Sequence, residues 1–237
     1  SSIAYLGENT HLPISCIPNA GLPLNIDGEA VYPMAPAPFS EMLLDFVKDN
    51  KINVVGGCCG TTPEHINLLV KALQDVKPEA REINSTARLS SATLSTTMQQ
   101  EPPPFLIGER LNTQGSKKFK QLILAEDFDA ILDIARQQIE SGAHGLDICV
   151  ALTERPDEAE IMQKVIKSLA PVVQVPFIID TTEPDVLETA LQSSPGKCLI
   201  NSTNFENGRE KADRIFSLAR KYNAAVMVLT IDKTGMA

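Results

Sequence analysis

Three things are scarce in this sequence, and each shortage excludes a class of function. Lys and Arg number 21 against 30 Asp and Glu, giving a formal charge of −9, and no basic stripe gathers anywhere along the 237 residues. A nucleic-acid surface needs clustered cations to displace phosphate counterions, so nucleic acid is excluded as a partner. No apolar run approaches the roughly 20 residues of a membrane-spanning helix, and the first residues carry neither a basic nor an apolar signal region. A membrane partner is excluded with them, and a cytoplasmic location is expected. The five cysteines are an odd number, a poor basis for a disulfide framework, so reduced thiols are expected. The chain begins at Ser1 and not at Met, which suggests a fragment. What is present, 43% hydrophobic and 22% charged residues, has apolar mass for one large domain or two small ones.

The sequence divides at a change of composition. From about Val76 to Pro104 the apolar periodicity gives way to Ser, Thr, Gln and Pro, including STARLSSATLSTTMQQEPPP. Such a stretch buries too little surface to offset its ordering entropy and reads as a linker, with Pro102 to Pro104 an extended, stiff spacer. Beyond it, FLIGER (105–110), GLDICV (145–150), VPFIID (175–180), KCLINS (197–202) and AAVMVLT (224–230) read as buried parallel strands. Amphipathic helices are expected between them at 127–141, 156–170, 184–193 and 207–221, the first with Ile131, Ile134, Ala135, Gln138 and Ile139 near one face. This alternation is α/β and fits either a doubly wound sheet or part of a (β/α)8 barrel. Before the linker, PISCIP (13–18) and INVVGGCCG (52–60) read as strands, with helices at 40–50 and 63–73, the latter capped by Thr61 or Thr62. Two strands cannot enclose a core alone.

In either architecture ligands bind at the carboxyl ends of the strands. The polar residues there are Glu109, Arg110 and Asn112, then Asp147, then Asp180 with Thr181 and Thr182, then Asn201 to Asn204, and finally Thr230, Asp232 and Lys233. Any one of them could simply cap the next helix, but recurrence at four successive strand ends argues for a site. The vicinal pair Cys58 and Cys59 stands at another strand end among Gly56, Gly57 and Gly60. Glycines permit a tight turn that points two thiolates one way, and soft thiolates suit zinc. Two small buried residues at a glycine turn is an equally good reading of the types alone. His65 and Cys16 are further ligand candidates by type, whereas Cys149 and Cys198 read as core.

At these residues a resemblance becomes specific. VVGGCCGTTPEHI (54–66), with CIPNAGLP (16–23), resembles the last strands of the homocysteine-binding barrel of the cobalamin-dependent methionine synthase family. IGERLNTQGSKKFK (107–120), GAHGLDICV (142–150), FIIDTTEPDVLETAL (177–191) and LINSTN (199–204) resemble the pterin-binding barrel of methyltetrahydrofolate-dependent corrinoid methyltransferases, a fold that dihydropteroate synthase shares. The order homocysteine region, linker, pterin region is that of methionine synthases. The resemblance therefore implies two incomplete TIM-type (β/α)8 barrels. Residues 1–75 would be the C-terminal part of the homocysteine barrel, 76–104 the linker, and 105–237 the N-terminal half of the pterin barrel.

It also implies roles. Cys58 and Cys59 would bind zinc with a third cysteine from upstream of Ser1, activating the homocysteine thiol. Asp147, Asp180 and Asn201 would contact the pterin of methyltetrahydrofolate, with Asn201 the catalytic amide at N5 and Glu109, Arg110 and Asn112 flanking the ring. Cobalamin would sit on another module of the parent protein. The family usually reads Asp-Ile-Asn where this chain has Asp147-Ile148-Cys149, so that asparagine's hydrogen bond is lost or replaced. Competing readings are a methyltetrahydrofolate:corrinoid protein methyltransferase, a dihydropteroate-synthase-like condensation, and a catalytically incomplete pterin-binding or structural fragment. The GGCCG segment argues against the first two.

Overall fold

The computed structural model describes residues 1–77, 79–83 and 86–236. The chain forms two compact units, Ser1–Ser85 and Thr86–Ala237. Among the described residues no helix is long and apolar enough to cross a membrane.

The first unit runs α1 (Ser2–Asn9), β1 (Ser15–Cys16), β2 (Leu24–Ile26), β3 (Glu29–Val31), α2 (Pro36–Asn50), β4 (Val54–Val55) and α3 (Pro63–Leu73). The two expected strands are present as the parallel pair β1 and β4, Ser15 opposite Val54 and Cys16 opposite Val55. Helix α2 begins earlier than expected, at Pro36, because proline's fixed φ suits a first turn. Its Phe39 and Leu43, one turn apart, pack with Leu69 of α3 against Ile14, Cys16 and Ile52. The β2–β3 hairpin turns at Asp27-Gly28, both with positive φ, the conformation an Asp-Gly pair favours. Val54 of the sheet and Leu12, Ile17 and Leu22 of the flanking loops remain exposed, as expected where a two-stranded sheet offers too little surface to cover its neighbours.

The second unit opens with a hairpin, β5 (Arg88–Ser90) and β6 (Ser95–Thr97). It continues through β7 (Ile107–Asn112), α4 (Lys117–Ala125), α5 (Phe128–Glu140), β8 (Gly145–Cys149), α6 (Glu158–Leu169), β9 (Phe177–Asp180), α7 (Pro184–Ser193), β10 (Leu199–Thr203), α8 (Glu210–Tyr222), β11 (Ala225–Val228) and a last hairpin, β12 (Ile231–Asp232) with β13 (Gly235–Met236). All five expected strands are found. They form one parallel sheet in the order β11-β10-β9-β8-β7. That order follows the sequence without the reversal a doubly wound sheet requires.

Period-two alternation sorts the strand residues between two faces. Leu146, Ile148, Ile179 and Ile200 pack against the helices with Ile134, Ile161, Val165, Leu187 and Ile215. Ile178 and Leu199 point the other way, into a separate cluster with Leu89 and Phe105. Asp147, Asp180 and Asn201 share this second, inner face, further along the strands.

The segment expected to be a linker is largely structured. Pro78, Asn84 and Ser85 fall outside the described residues, but on either side the chain is held. Arg81 donates from Nε to Thr10 O at 3.1 Å and from its terminal nitrogens to Lys51 O, Leu12 O and Asn53 Oδ1, which fastens it within the first unit. Residues 88–97 form the hairpin β5–β6, and Leu89 is fully buried with Ile178 and Leu199. Ser90 N donates to Lys197 O at 3.0 Å and Lys197 N to Ser90 Oγ at 2.8 Å. Approach at that point is so close that a Cβ on Gly196 would lie 2.1 Å from Ser90 O. Serine and threonine carry the same backbone donors as any residue, and one leucine suffices to plug the open end of the inner face. The chain bends at 101–103 instead of running straight, since proline fixes φ and leaves ψ to its surroundings.

Leu89→Ala is expected to destabilise the second unit by about 2–5 kcal/mol, the usual cost of truncating a buried leucine. Urea unfolding followed by circular dichroism checks this, and a change under 0.5 kcal/mol, roughly that of a surface site, would return the hairpin to linker status.

Candidate functional site

At the carboxyl ends of β7 to β10 the inner face changes from apolar to polar. Asn112 ends β7, Asp147 lies two residues before the end of β8, Asp180 ends β9, and Asn201 is in the middle of β10. The structure brings all four together. Asn112 Nδ2 donates to Asp180 Oδ2 at 2.9 Å and lies 3.2 Å from Asp147 Oδ2. Asn201 Nδ2 donates to Asp147 Oδ1 at 3.1 Å. Asn112 Oδ1 accepts from Gln114 N at 2.9 Å, which fixes which way its amide faces. Two carboxylates from adjacent strands are thus bridged by the Asn112 amide, and the Asn201 amide donates to one of them from the other flanking strand.

Burial dominates the electrostatics. Asp147 is 3% exposed. Desolvation pushes its carboxyl up to about 6, partly offset by the Asn201 and Asn112 donors and assisted by the neighbouring charges of Asp180 and Glu109. Asp180 is raised for the same first reason, with Asn112 lowering it, Glu109 raising it and the Cys149 thiol lowering it. Near neutral pH Asp147 therefore holds its negative charge against burial, and burial opposes the charge of Asp180 in the same sense. They are poised to take up a proton or to accept hydrogen bonds from a ligand's N–H groups. Behind them, Thr181 donates to Glu158 Oε1 at 3.1 Å, and burial raises the Glu158 carboxyl too.

Glu109 and Arg110 differ from each other. Strand pairing shifts register between Gly108 and Leu111, and the bulged segment is held by Arg110 N donating to Gln138 Oε1 at 2.7 Å. Glu109 is close enough for its charge to act on both aspartates. Arg110 is exposed, makes no ion pair among the described residues, and lines an outer groove with Glu109, Ser116, Lys117, Lys118 and Gln137. The structure does not bring its guanidinium to the carboxylate cluster.

In the first unit the thiols of Cys58 and Cys59 are exposed, with their Sγ atoms 3.8 Å apart. Two thiolates at about 2.3 Å from one tetrahedral zinc ion stand about 3.8 Å from each other, so the pair has the spacing of two zinc ligands. The turn is set by Cys58 N donating to Pro18 O at 3.0 Å and Cys59 N to Asn19 Oδ1 at 3.1 Å. Gly60 has φ +77 and abuts the Tyr32 side chain, whose Cβ an added Cβ would meet at 2.2 Å. No group of three metal-ligating side chains occurs among the described residues.

The two other ligand candidates are accounted for structurally. His65 is buried. Its Nε2 lies 2.9 Å from Met34 O, and its Nδ1 lies 3.2 Å from Thr62 N and 2.9 Å from Thr62 Oγ1. An Nε2–H tautomer satisfies all three contacts, so His65 caps α3 and is not solvent-facing. Cys16 belongs to the apolar core of its unit, and burial raises its thiol.

Some residues of the site carry no mark in the sequence pattern. Helical spacing assigns Gln138 only to an apolar face, yet it organises the β7 bulge. Cys149, expected as core, is buried beside Asp180 and Thr113. Helix α4, capped by Ser116 Oγ accepting from Phe119 N at 3.2 Å, carries the loop after β7; its Lys117, Lys118 and Lys120 hide a short stripe of Phe119 and Ile123.

The family model described as pterin binding enzyme matches residues 108–236, and that described as homocysteine S-methyltransferase matches residues 1–73. The chain is 37% identical over 238 residues to a methionine synthase of Mycobacterium tuberculosis (strain ATCC 25618 / H37Rv), covering 99% of this chain and 20% of the relative. It is likewise 37% identical over 243 residues to a methionine synthase of Mycobacterium leprae (strain TN), with the same coverage. The chain thus spans about a fifth, 20%, of the length of these curated relatives. A solved dihydropteroate synthase from Thermus thermophilus in complex with 6HMPPP is similar at 21% identity and a TM-score of 0.42, over 61% of this chain and 50% of that one, too loosely to bear on function.

Carboxyl carbon NMR should place the Asp147 midpoint near 6, about two units above an ordinary aspartate. Because the folded value is the higher one, this group's contribution to stability is full below about pH 4 and is lost as pH rises through about 6. Asn201→Ala removes a donor to the charged form and should move the midpoint higher still. A midpoint near 4 in the unaltered chain would show that the carboxylate is solvated.

Proposed function

The chain belongs to the pterin binding enzyme family, matched through residues 108–236, and from that premise we propose that it carries part of the transfer of a methyl group from methyltetrahydrofolate to homocysteine, giving methionine. The observation that carries this reading is the joined set of Asn112, Asp147, Asp180 and Asn201 at the strand ends. A pterin ring presents several N–H donors along one edge. Two carboxylates fixed by amide donors on one side keep their remaining lone pairs for that edge and orient the ring without rearrangement.

The departing methyl sits on a tertiary amine, which leaves only as N5 takes a proton. Asn201 commits its Nδ2 to Asp147, so its carbonyl oxygen is the end free to accept from a protonated N5. Stabilising that charge as the carbon–nitrogen bond breaks is the catalytic role we assign to it. Asp180 and Asp147 hold the ring, and the charge of Glu109 keeps the surroundings favourable to a cation. Arg110 and Asn112 keep supporting places, the first at the outer rim and the second as the bridge between carboxylates.

In the first unit Cys58 and Cys59 are the residues that would hold zinc, which when bound keeps a homocysteine sulfur deprotonated at neutral pH. Cobalamin, as the methyl carrier between the two substrates, would be held by a further module of the parent protein. Each unit is read as a sector of a TIM-type (β/α)8 barrel. The sequential parallel order of β7 to β11 supports this for the second unit, and the parallel β1–β4 pair with its packed helices supports it for the first. A cytoplasmic location fits reduced thiols.

Isothermal titration of the chain with 5-methyltetrahydrofolate tests the pterin reading. Asp180→Asn and Asn201→Ala should each weaken binding roughly 10- to 100-fold, the worth of a hydrogen bond to a charged group; absence of heat at millimolar ligand overturns it. Zinc analysis tests the thiol pair separately. Substoichiometric metal is expected in the unaltered chain and none in Cys58→Ser or Cys59→Ser, and a zinc content indifferent to both substitutions would refute the assignment.

A further inference from the structure

The thiol pair of the first unit is ordered by the turn that carries it. Cys58 and Cys59 are exposed, with their Sγ atoms 3.8 Å apart. Every backbone polar group of the pair is engaged. Cys58 N donates to Pro18 O at 3.0 Å and Cys59 N to Asn19 Oδ1 at 3.1 Å. Cys58 O accepts from Thr61 N at 3.2 Å and from Thr61 Oγ1 at 2.7 Å, and Cys59 O accepts from Ala20 N at 2.9 Å. The turn leaves no slack beside the pair, since a Cβ on Gly57 would lie 2.5 Å from Thr61 Cγ2. Two thiols are thus held side by side and open to solvent.

Two is also the number of sulfurs on offer. Cys16, Cys149 and Cys198 are buried, and His65 is committed to Thr62 and Met34. Among the described residues no group of three metal-ligating side chains occurs. A tetrahedral zinc ion finds two of its four ligands here. An organic arsenic(III) group differs in valence. Carbon takes one of its three bonds, so two sulfurs complete it, and as a soft acceptor it prefers thiolate donors. A pair that is already ordered favours such a ligand, because less side-chain and loop freedom is lost on binding.

We propose that the Cys58–Cys59 turn is a capture site for monosubstituted trivalent arsenicals, which close a ring across both thiols and exclude zinc from them. The step is an exchange without redox. R–As(OH)2 and two Cys–SH give R–As(S–Cys)2 and two waters, each thiol losing its proton to a departing hydroxyl while arsenic stays trivalent. Sulfurs that share one arsenic stand somewhat closer than sulfurs that share one zinc, and rotation about the Cα–Cβ bonds of two exposed side chains closes the difference. The capture is independent of the functional reading above; its consequence, loss of the zinc site, rests on the zinc role proposed for the pair.

The test is the intact mass of the chain after treatment with phenylarsine oxide in excess glutathione, a monothiol that strips arsenic from single cysteines. One phenylarsenic adduct per chain is expected, with none in Cys58→Ser or Cys59→Ser. Asn19→Ala keeps both thiols but releases Cys59 N. It should lower the affinity about tenfold, the scale of one hydrogen bond, read as the dithiothreitol concentration that removes the adduct. The adduct should also bring zinc uptake to zero. An adduct that survives in either serine variant, or none on the unaltered chain, overturns the proposal. Equal affinity in Asn19→Ala overturns the ordering of the pair by the turn, and zinc uptake unchanged by the adduct overturns the exclusion. If the untreated chain takes up no zinc while the treated chain carries one adduct, the zinc reading fails and the capture site stands.

Discussion

Everything that distinguishes the second unit from a generic parallel sheet depends on placing two aspartates side by side away from water. Left alone, buried carboxylates of like charge cost several kcal/mol and are avoided. Here Asn112 and Asn201 donate to them from the strands on either side, and Gln114 N in turn holds the Asn112 amide. The result is a fixed acceptor surface whose charge is retained at a cost, visible as the raised Asp147 and Asp180 carboxyls. A ligand that brings N–H donors relieves that cost, which is how a binding site differs from a core.

The scaffold serves this arrangement at both ends. On the helix side, Leu146, Ile148, Ile179 and Ile200 anchor the strands rigidly. On the inner face, Leu89 and the β5–β6 hairpin close the apolar end beneath the carboxylates. Closure from below excludes water along one approach, and the low local dielectric that results strengthens every hydrogen bond above it. At the bulge tied to Gln138, Glu109 and Arg110 line one outer groove together, and Glu109 is also within electrostatic reach of the aspartates.

The first unit follows a different logic. Its candidate site is a turn held through the cysteine N–H groups: Pro18 O and Asn19 Oδ1 accept from them, while His65 is used up in capping α3. Two exposed thiols 3.8 Å apart have the spacing of two ligands to one soft metal ion. The match of this region to the homocysteine S-methyltransferase family gives that geometry a chemical context.

The five strands, four of the helices and the polar strand ends were legible in the sequence because hydrophobic period and capping are local properties. The thiol turn was legible because glycine and cysteine have few uses in such density. What needed the tertiary structure was pairing across strands. No pattern along the chain says that Asn112 reaches past Cys149 to Asp180, that Gln138 serves a bulge 28 residues earlier, or that His65 commits both nitrogens to Thr62 and Met34. Nor does a Ser- and Thr-rich stretch announce that one leucine in it will plug a sheet. Local sequence sets which groups each strand offers; register and the closing of the inner face decide which of them meet, because hydrogen bonds form between neighbours in space.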